Sequence, residues 1–171
     1  VRSGGVDDLP YALEHLRADH DLPELLEGLK KSQSGSICFY GPPGTGKTSF
    51  ARHLAEGLDK HLLAKRASDI LSMWVGGTER SIARMFREAK AEGAVLLLDE
   101  ADSFLQDRRQ AGRSWEITQV NELLTQMEGF DGVFVCSTNL MDALDPAVFR
   151  RFDFKVRFGY LTIDQSWYLF E

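Results

Sequence analysis

Two periodicities alternate along this chain. Short runs rich in strand-forming residues occupy 36–40, 61–65, 94–98, 133–137 and 154–158, with the length and apolar character of buried strands. Between them, apolar residues recur at spacings of three and four: Leu22, Leu25, Leu26 and Leu29; Ala51, Leu54, Ala55 and Leu58; Ile82, Met85, Phe86 and Ala89; Val120, Leu123, Leu124 and Met127. That spacing lines one face of an α-helix. Strands that are apolar throughout, separated by helices, predict an α/β architecture with a parallel sheet covered on both faces. No internal repeat is visible, and 107–113 is the one loop-like stretch of low order. Residues 164–171 read as the first turns of a helix that follows a domain spanning 1–163.

At 171 residues and 19.2 kDa the chain is long enough to bury a core of its own. The longest uninterrupted apolar run, 94–98, falls far short of the roughly 20 residues needed to cross a bilayer, so no membrane segment is expected. No charged-then-apolar leader opens the chain, and its first residue is Val1 rather than Met, which suggests a fragment or a processed chain. A net charge of −6 and a pI near 5.3 argue against nucleic acid as a partner, because a dedicated binder usually carries a basic face. Cys38 and Cys136 each sit inside an apolar run and read as reduced core residues rather than a disulfide or metal ligands. His15, His20, His53 and His61 have no metal-ligand spacing. A cytoplasmic protein is expected.

The chemistry begins at the end of the first strand. Gly41, Pro42, Pro43, Gly44, Thr45, Gly46, Lys47 and Thr48, followed by Ser49, satisfy G-x-x-x-x-G-K-[ST] between a strand and a helix, which is the context that a phosphate-binding loop requires. Glycines let backbone N–H groups turn inward around a β-phosphate, and the helix N-terminus adds its positive dipole end. Lys47 would bridge the β- and γ-phosphates, and Thr48 Oγ would occupy one Mg²⁺ position. The expected ligand is therefore a nucleoside triphosphate, ATP with Mg²⁺.

The third apolar run ends in Asp99 and Glu100. A strand that delivers two carboxylates at its C-terminal tip places them at the ligand-binding edge of a doubly wound sheet. Asp99 would hold Mg²⁺, directly or through water, and Glu100 would orient and polarise an attacking water. A strand-end Asp-Glu pair is also a common solvated turn; the phosphate loop about 50 residues earlier favours the catalytic reading. Asp102 reads as a helix-start or surface acid.

With these residues in place, the chain resembles the AAA+ ATPases, and within them the AAA subgroup that remodels proteins. The resemblance is carried by GPPGTGKT at 41–48, LLLDEADSF at 96–104, STN at 137–139 and the pair Arg150 and Arg151, and it runs from about Asp21 to Phe158. It implies a P-loop NTPase fold with a five-stranded parallel sheet in the order 5-1-4-3-2. It also implies a homo-oligomeric ring, usually hexameric, with ATP at subunit interfaces. Asn139 then matches the family's sensor 1, donating to the γ-phosphate or positioning water, although taken alone it reads as a strand-ending turn residue. Arg150 and Arg151 match arginine fingers presented to a neighbour's ATP, a task suited to a planar, permanently charged guanidinium; taken alone they read as a solvated surface pair. Trp74, Val75 and Gly76 resemble the aromatic–hydrophobic–Gly pore loop that grips a protein chain, against a core role for the Trp. Gly77 stands where many relatives carry Glu.

The resemblance also sets limits. The helical lid that carries sensor 2 is missing after Glu171, and 19–22 sits where relatives wrap the adenine but lacks their Gly-Gly. The expected activity is ATP hydrolysis coupled to remodelling, unfolding or threading of a protein substrate. The alternatives are a module acting on nucleic acid or assemblies, of the clamp-loader or helicase-loader type, and a nucleotide-dependent scaffold with little turnover.

Overall fold

A computed structural model of the chain describes residues 17–71, 74, 76–107 and 114–160. Each of the five apolar runs forms a strand: β2 (Gly35–Tyr40), β3 (Leu62–Arg66), β4 (Val95–Asp99), β5 (Val133–Thr138) and β6 (Phe154–Gly159). They pair in parallel in the order β6-β2-β5-β4-β3, the expected 5-1-4-3-2. The sheet carries one strand that no periodicity announced. β1 (Arg17–Ala18) pairs antiparallel with β6, through Arg17↔Gly159 and Ala18↔Phe158. Two residues are too few to show a pattern of their own, so only the edge they dock on reveals them as a strand.

The absence of polar alternation in the strands has a direct cause. Ile37, Phe39, Val95, Leu97, Val133, Val135, Val156 and Phe158 pack on one face, against Leu22, Leu25, Leu26 and Leu29 of α1 (Leu22–Ser32) and Phe50, Ala51, Leu54 and Ala55 of α2 (Lys47–Gly57). The residues between them, Cys38, Leu96, Leu98, Phe134 and Cys136, face α4 (Gly77–Glu92) and α6 (Ser114–Glu128). Side chains alternate with period two along a strand, so a strand covered on both sides must be apolar at every position. β3, at the sheet edge, shows the converse: its burial is only partial, and Lys65 reaches Glu88 of α4 at 3.3 Å.

Helix boundaries follow from local chemistry. Asp21 caps α1 by accepting from the backbone N–H of Glu24 at 3.1 Å, with Pro23 in the first turn, and Gln33 ends the helix in the left-handed region. Three single-turn helices, α3 (Ala67–Ile70), α5 (Asp102–Leu105) and α7 (Pro146–Phe149), lie in the connections. The helix start read at 164–171 and most of the 107–113 loop lie outside the described residues. Among the described residues no helix is long and apolar enough to cross a membrane.

Candidate active site

The loop between β2 and α2 owes its shape to a close approach. Gly41 has φ +145°, and a Cβ there would lie 2.2 Å from the carbonyl oxygen of Phe158 on β6. Gly46, at φ 94°, is the N-cap of α2; both positions suit only glycine. Lys47 is buried and curls back over the loop, donating to the carbonyls of Gly41 at 2.8 Å and Pro42 at 2.7 Å. Thr45 Oγ1 donates to the same Pro42 carbonyl at 2.8 Å. Burial lowers the pKa of Lys47, opposed by the carboxylates of Asp99 and Asp102.

The acidic strand end meets this loop directly. Thr48 Oγ1 donates to Asp99 Oδ2 at 3.1 Å. Asp99 Oδ1 accepts from the backbone N–H of Glu100 at 3.0 Å and from the Ser137 hydroxyl. Glu100 is exposed and adopts φ 53°, a left-handed conformation that costs a non-glycine residue roughly 1–2 kcal/mol. A cleft of about 280 Å³ is lined by residues 43–49 together with Asp99, Glu100 and Asn139. Most of the nucleotide-site residues expected from sequence are thus gathered around one space. Gly41 and Pro42 form the loop's base, and Asn139 enters from β5 because β5 lies between β2 and β4.

Asp102 was expected to be a helix-start or surface acid, and it does open α5. It is also partly buried, and its Oδ1 accepts from Thr138 Oγ1 at 2.6 Å and from the backbone N–H of Asn139 at 3.2 Å. Sequence reasoning missed this contact. The available signal was the Asp-x-x-Asp spacing over 99–102, which offers two acids to the paired hydroxyls Ser137 and Thr138.

The Thr48 hydroxyl and the Asp99 carboxylate make an oxygen-only pair. Among the described residues no group of three or more His, Cys, Asp or Glu could hold a metal by itself. A hydroxyl and one carboxylate, completed by water and phosphate oxygens, suit Mg²⁺, which dehydrates reluctantly and is seldom caged by protein alone. The residues present therefore fit the ion that the motif implies.

Beside the loop, a second cavity of about 580 Å³ is lined by Pro42, Ala18, Asp19, Met141, Arg157 and Tyr160, among others. The backbone N–H of Asp19 donates to the Arg157 carbonyl at 3.0 Å, and Arg157 N donates to the Asp19 carboxylate at 2.8 Å, holding its wall to β6. Of the 19–22 segment expected to wrap a base, only Asp19 lines this cavity. Asp21 instead caps α1, and Leu22 is buried in the α1 face.

The remaining expected residues lie elsewhere. Arg150 and Arg151 follow α7 and precede β6, and neither lines the cleft. Asp153 Oδ2 accepts from Ser36 N at 3.0 Å, at the start of β2, whereas the phosphate loop follows its end. Phe149, just before Arg150, packs edge-on against Tyr40 at the end of β2, with ring centroids 5.2 Å apart, so α7 and the residues after it run from one end of the strands toward the other. Arg151 pairs with Glu128 at the end of α6, while Arg150 is exposed and has no ion pair among the described residues. Trp74 is 80% exposed, which removes the core reading for it. Gly76, at φ 73°, is the N-cap of α4, and Val75 lies outside the described residues.

The profile of the ATPase family associated with various cellular activities (AAA) matches residues 37–160. The chain is 37% identical over 176 residues to a peroxisomal ATPase PEX6 of Kluyveromyces lactis, covering 97% of this chain and 17% of that protein. It is 34% identical over 144 residues to a cell division cycle protein 48 homolog of Archaeoglobus fulgidus, covering 80% of this chain and 20% of that protein. It is 37% identical over 149 residues to Tat-binding homolog 7 of Caenorhabditis elegans, covering 80% of this chain and 12% of that protein. The chain thus spans about a fifth or less of the length of these relatives. With the profile running from β2 to β6 and including the phosphate loop and both acidic and polar strand ends, this chain belongs to the AAA family of ATPases.

Proposed function

We propose that this domain binds ATP with Mg²⁺ in the cleft above the phosphate loop, and that Glu100 directs water to the γ-phosphorus. The observation that carries the reading is the single cleft shared by residues 43–49, Asp99, Glu100 and Asn139. Backbone amides of the loop and the Lys47 ammonium bind the phosphates. Thr48 and Asp99 would hold Mg²⁺, which neutralises charge on the phosphate oxygens when bound. Glu100 accepts the proton of the attacking water, and the Asn139 amide positions that water or the γ-phosphate. The cavity beside Pro42 takes the adenine.

Arg150 and Arg151 serve the neighbouring subunit's nucleotide in a ring, hexameric in the form we favour. Neither of them lines the cleft of its own subunit, which supports action in trans. Arg150 is the freer of the two, since Glu128 engages Arg151. Exposed Trp74, with Val75 and Gly76, would grip a protein substrate that the ring remodels or threads. This reading is supported by the relatives named peroxisomal ATPase and cell division cycle protein 48 homolog. A cytoplasmic working place is part of the same proposal, supported by two buried free thiols.

The test is Glu100→Gln in the complete, assembled protein. Nucleotide affinity by calorimetry should be retained, and ATP turnover should fall by about 100-fold or more, as expected for loss of a general base. Hydrolysis at an undiminished rate would overturn the assignment.

A further inference from the structure

Beyond β4 and β5, where regular pairing ends at Leu98↔Cys136, the two chain segments remain stitched together. Ala101 N donates to the Ser137 carbonyl at 2.9 Å, and Ser137 Oγ donates to Asp99. One residue further on, Thr138 Oγ1 and Asn139 N both donate to Asp102 Oδ1, at 2.6 and 3.2 Å. The Thr138 hydroxyl accepts in turn from Leu140 N at 3.1 Å. Thr138 is the last residue of β5, paired with Tyr40 of β2, so Asn139 stands just past the ladder.

We infer that Asp102 is a positioning residue for hydrolysis: its carboxylate replaces the missing ladder and holds the backbone of Asn139 so that the amide stays in the cleft beside Glu100. The inference rests on the reading of Asn139 given above and extends it to a residue outside the lining of the cleft. Three features support it. A carboxylate that accepts from a hydroxyl at 2.6 Å makes a short, charge-assisted bond. The same oxygen receives the amide N–H of the residue to be placed. Asp102 and Glu100 are two residues apart on one turn, so the device fixes Asn139 relative to the base rather than relative to the distant core.

Steady-state ATP hydrolysis in the complete, assembled protein tests this, with melting temperature as a folding control. Asp102→Ala should lower kcat by about 10- to 100-fold while KM for ATP moves less than about 3-fold, the pattern of a misplaced but present group. Asp102→Asn keeps an acceptor oxygen and should recover most of the lost rate. Thr138→Val removes one of the two donors conservatively and should lower kcat by about 3- to 10-fold; it decides the question if Asp102→Ala does not fold. The double variant Asp102→Ala/Asn139→Ala should turn over no more slowly than Asn139→Ala alone.

The inference is overturned if Asp102→Ala or Thr138→Val keeps the wild-type kcat, or if the double variant loses rate multiplicatively. It is also overturned if Asp102→Asn is as slow as Asp102→Ala. An Asn139→Ala variant with unchanged kcat would instead remove the reading of Asn139 itself, and the two failures are therefore distinct.

Discussion

Cys38 and Cys136 stand side by side on adjacent central strands, both without solvent contact. Burial pushes the Cys38 thiol up to about 12 from an ordinary 9.0, against a small opposing pull from Lys155. Cys136 is likewise raised well above its ordinary value, by burial and then by Cys38. The folded thiols stay neutral at a pH where the unfolded ones ionise, so the folded state holds more protons above pH 9. Their contribution to stability is complete below pH 9 and is lost as pH climbs toward 12. Thermal melting as a function of pH should therefore decline above 9, and Cys38→Ala should make that decline less steep. Neither thiol should react with a maleimide at pH 8 until the domain unfolds. Their apolar neighbours made this core role readable from the sequence. The contact of Asp102 was not readable, because its partners lie 36 and 37 positions away along the chain.

Among the secondary-structure elements, two glycines of opposite character make a test of what the connections require. Gly41 turns the chain out of β2 against the Phe158 carbonyl, and Gly41→Ala forces either the loop or β6 to move. A loss of about 3 kcal/mol or more is expected in denaturant unfolding, from backbone strain combined with overlap. Gly28 lies on the exposed side of α1 with no atom within 4 Å of an added Cβ. Gly28→Ala should stabilise by about 0.5–1 kcal/mol through helix propensity alone. The strands and the four long helices were legible because each has a periodic apolar pattern longer than its ends. Single-turn α3, α5 and α7 were not, since four residues complete barely one period. β1 is shorter still and exists only where β6 offers it an edge.

The proposed catalytic machinery falls into two groups, and only one of them lines the cleft. The phosphate loop, Asp99, Glu100 and Asn139 lie at the C-terminal ends of the strands, and the Arg pair, between α7 and β6, lines no part of that cleft. A subunit that lacks its Arg and one that lacks its Glu should therefore complement each other. Mixing Arg150→Ala and Glu100→Gln proteins should restore part of the turnover that neither has alone, measured by phosphate release across mixing ratios. Activity that never exceeds the sum of the separate proteins would refute action in trans. Glu128 adds a condition: its ion pair holds Arg151 within its own subunit, so Arg150→Ala should cost more than Arg151→Ala.

Local chemistry in the chain was enough to specify the strands, the helix faces, the phosphate loop and the acids at 99 and 100, because each depends on neighbours within a few residues. The glycine spacing of 41–48 and the apolar run before Asp99 carry their meaning without any distant partner. Tertiary structure decided the rest. It set Asn139 opposite Glu100, bound Asp102 to Thr138, attached Arg151 to Glu128 and exposed Trp74. Those relations arise from strand order and register, which bring together residues far apart in the chain, and no local pattern records which strand end will stand beside which.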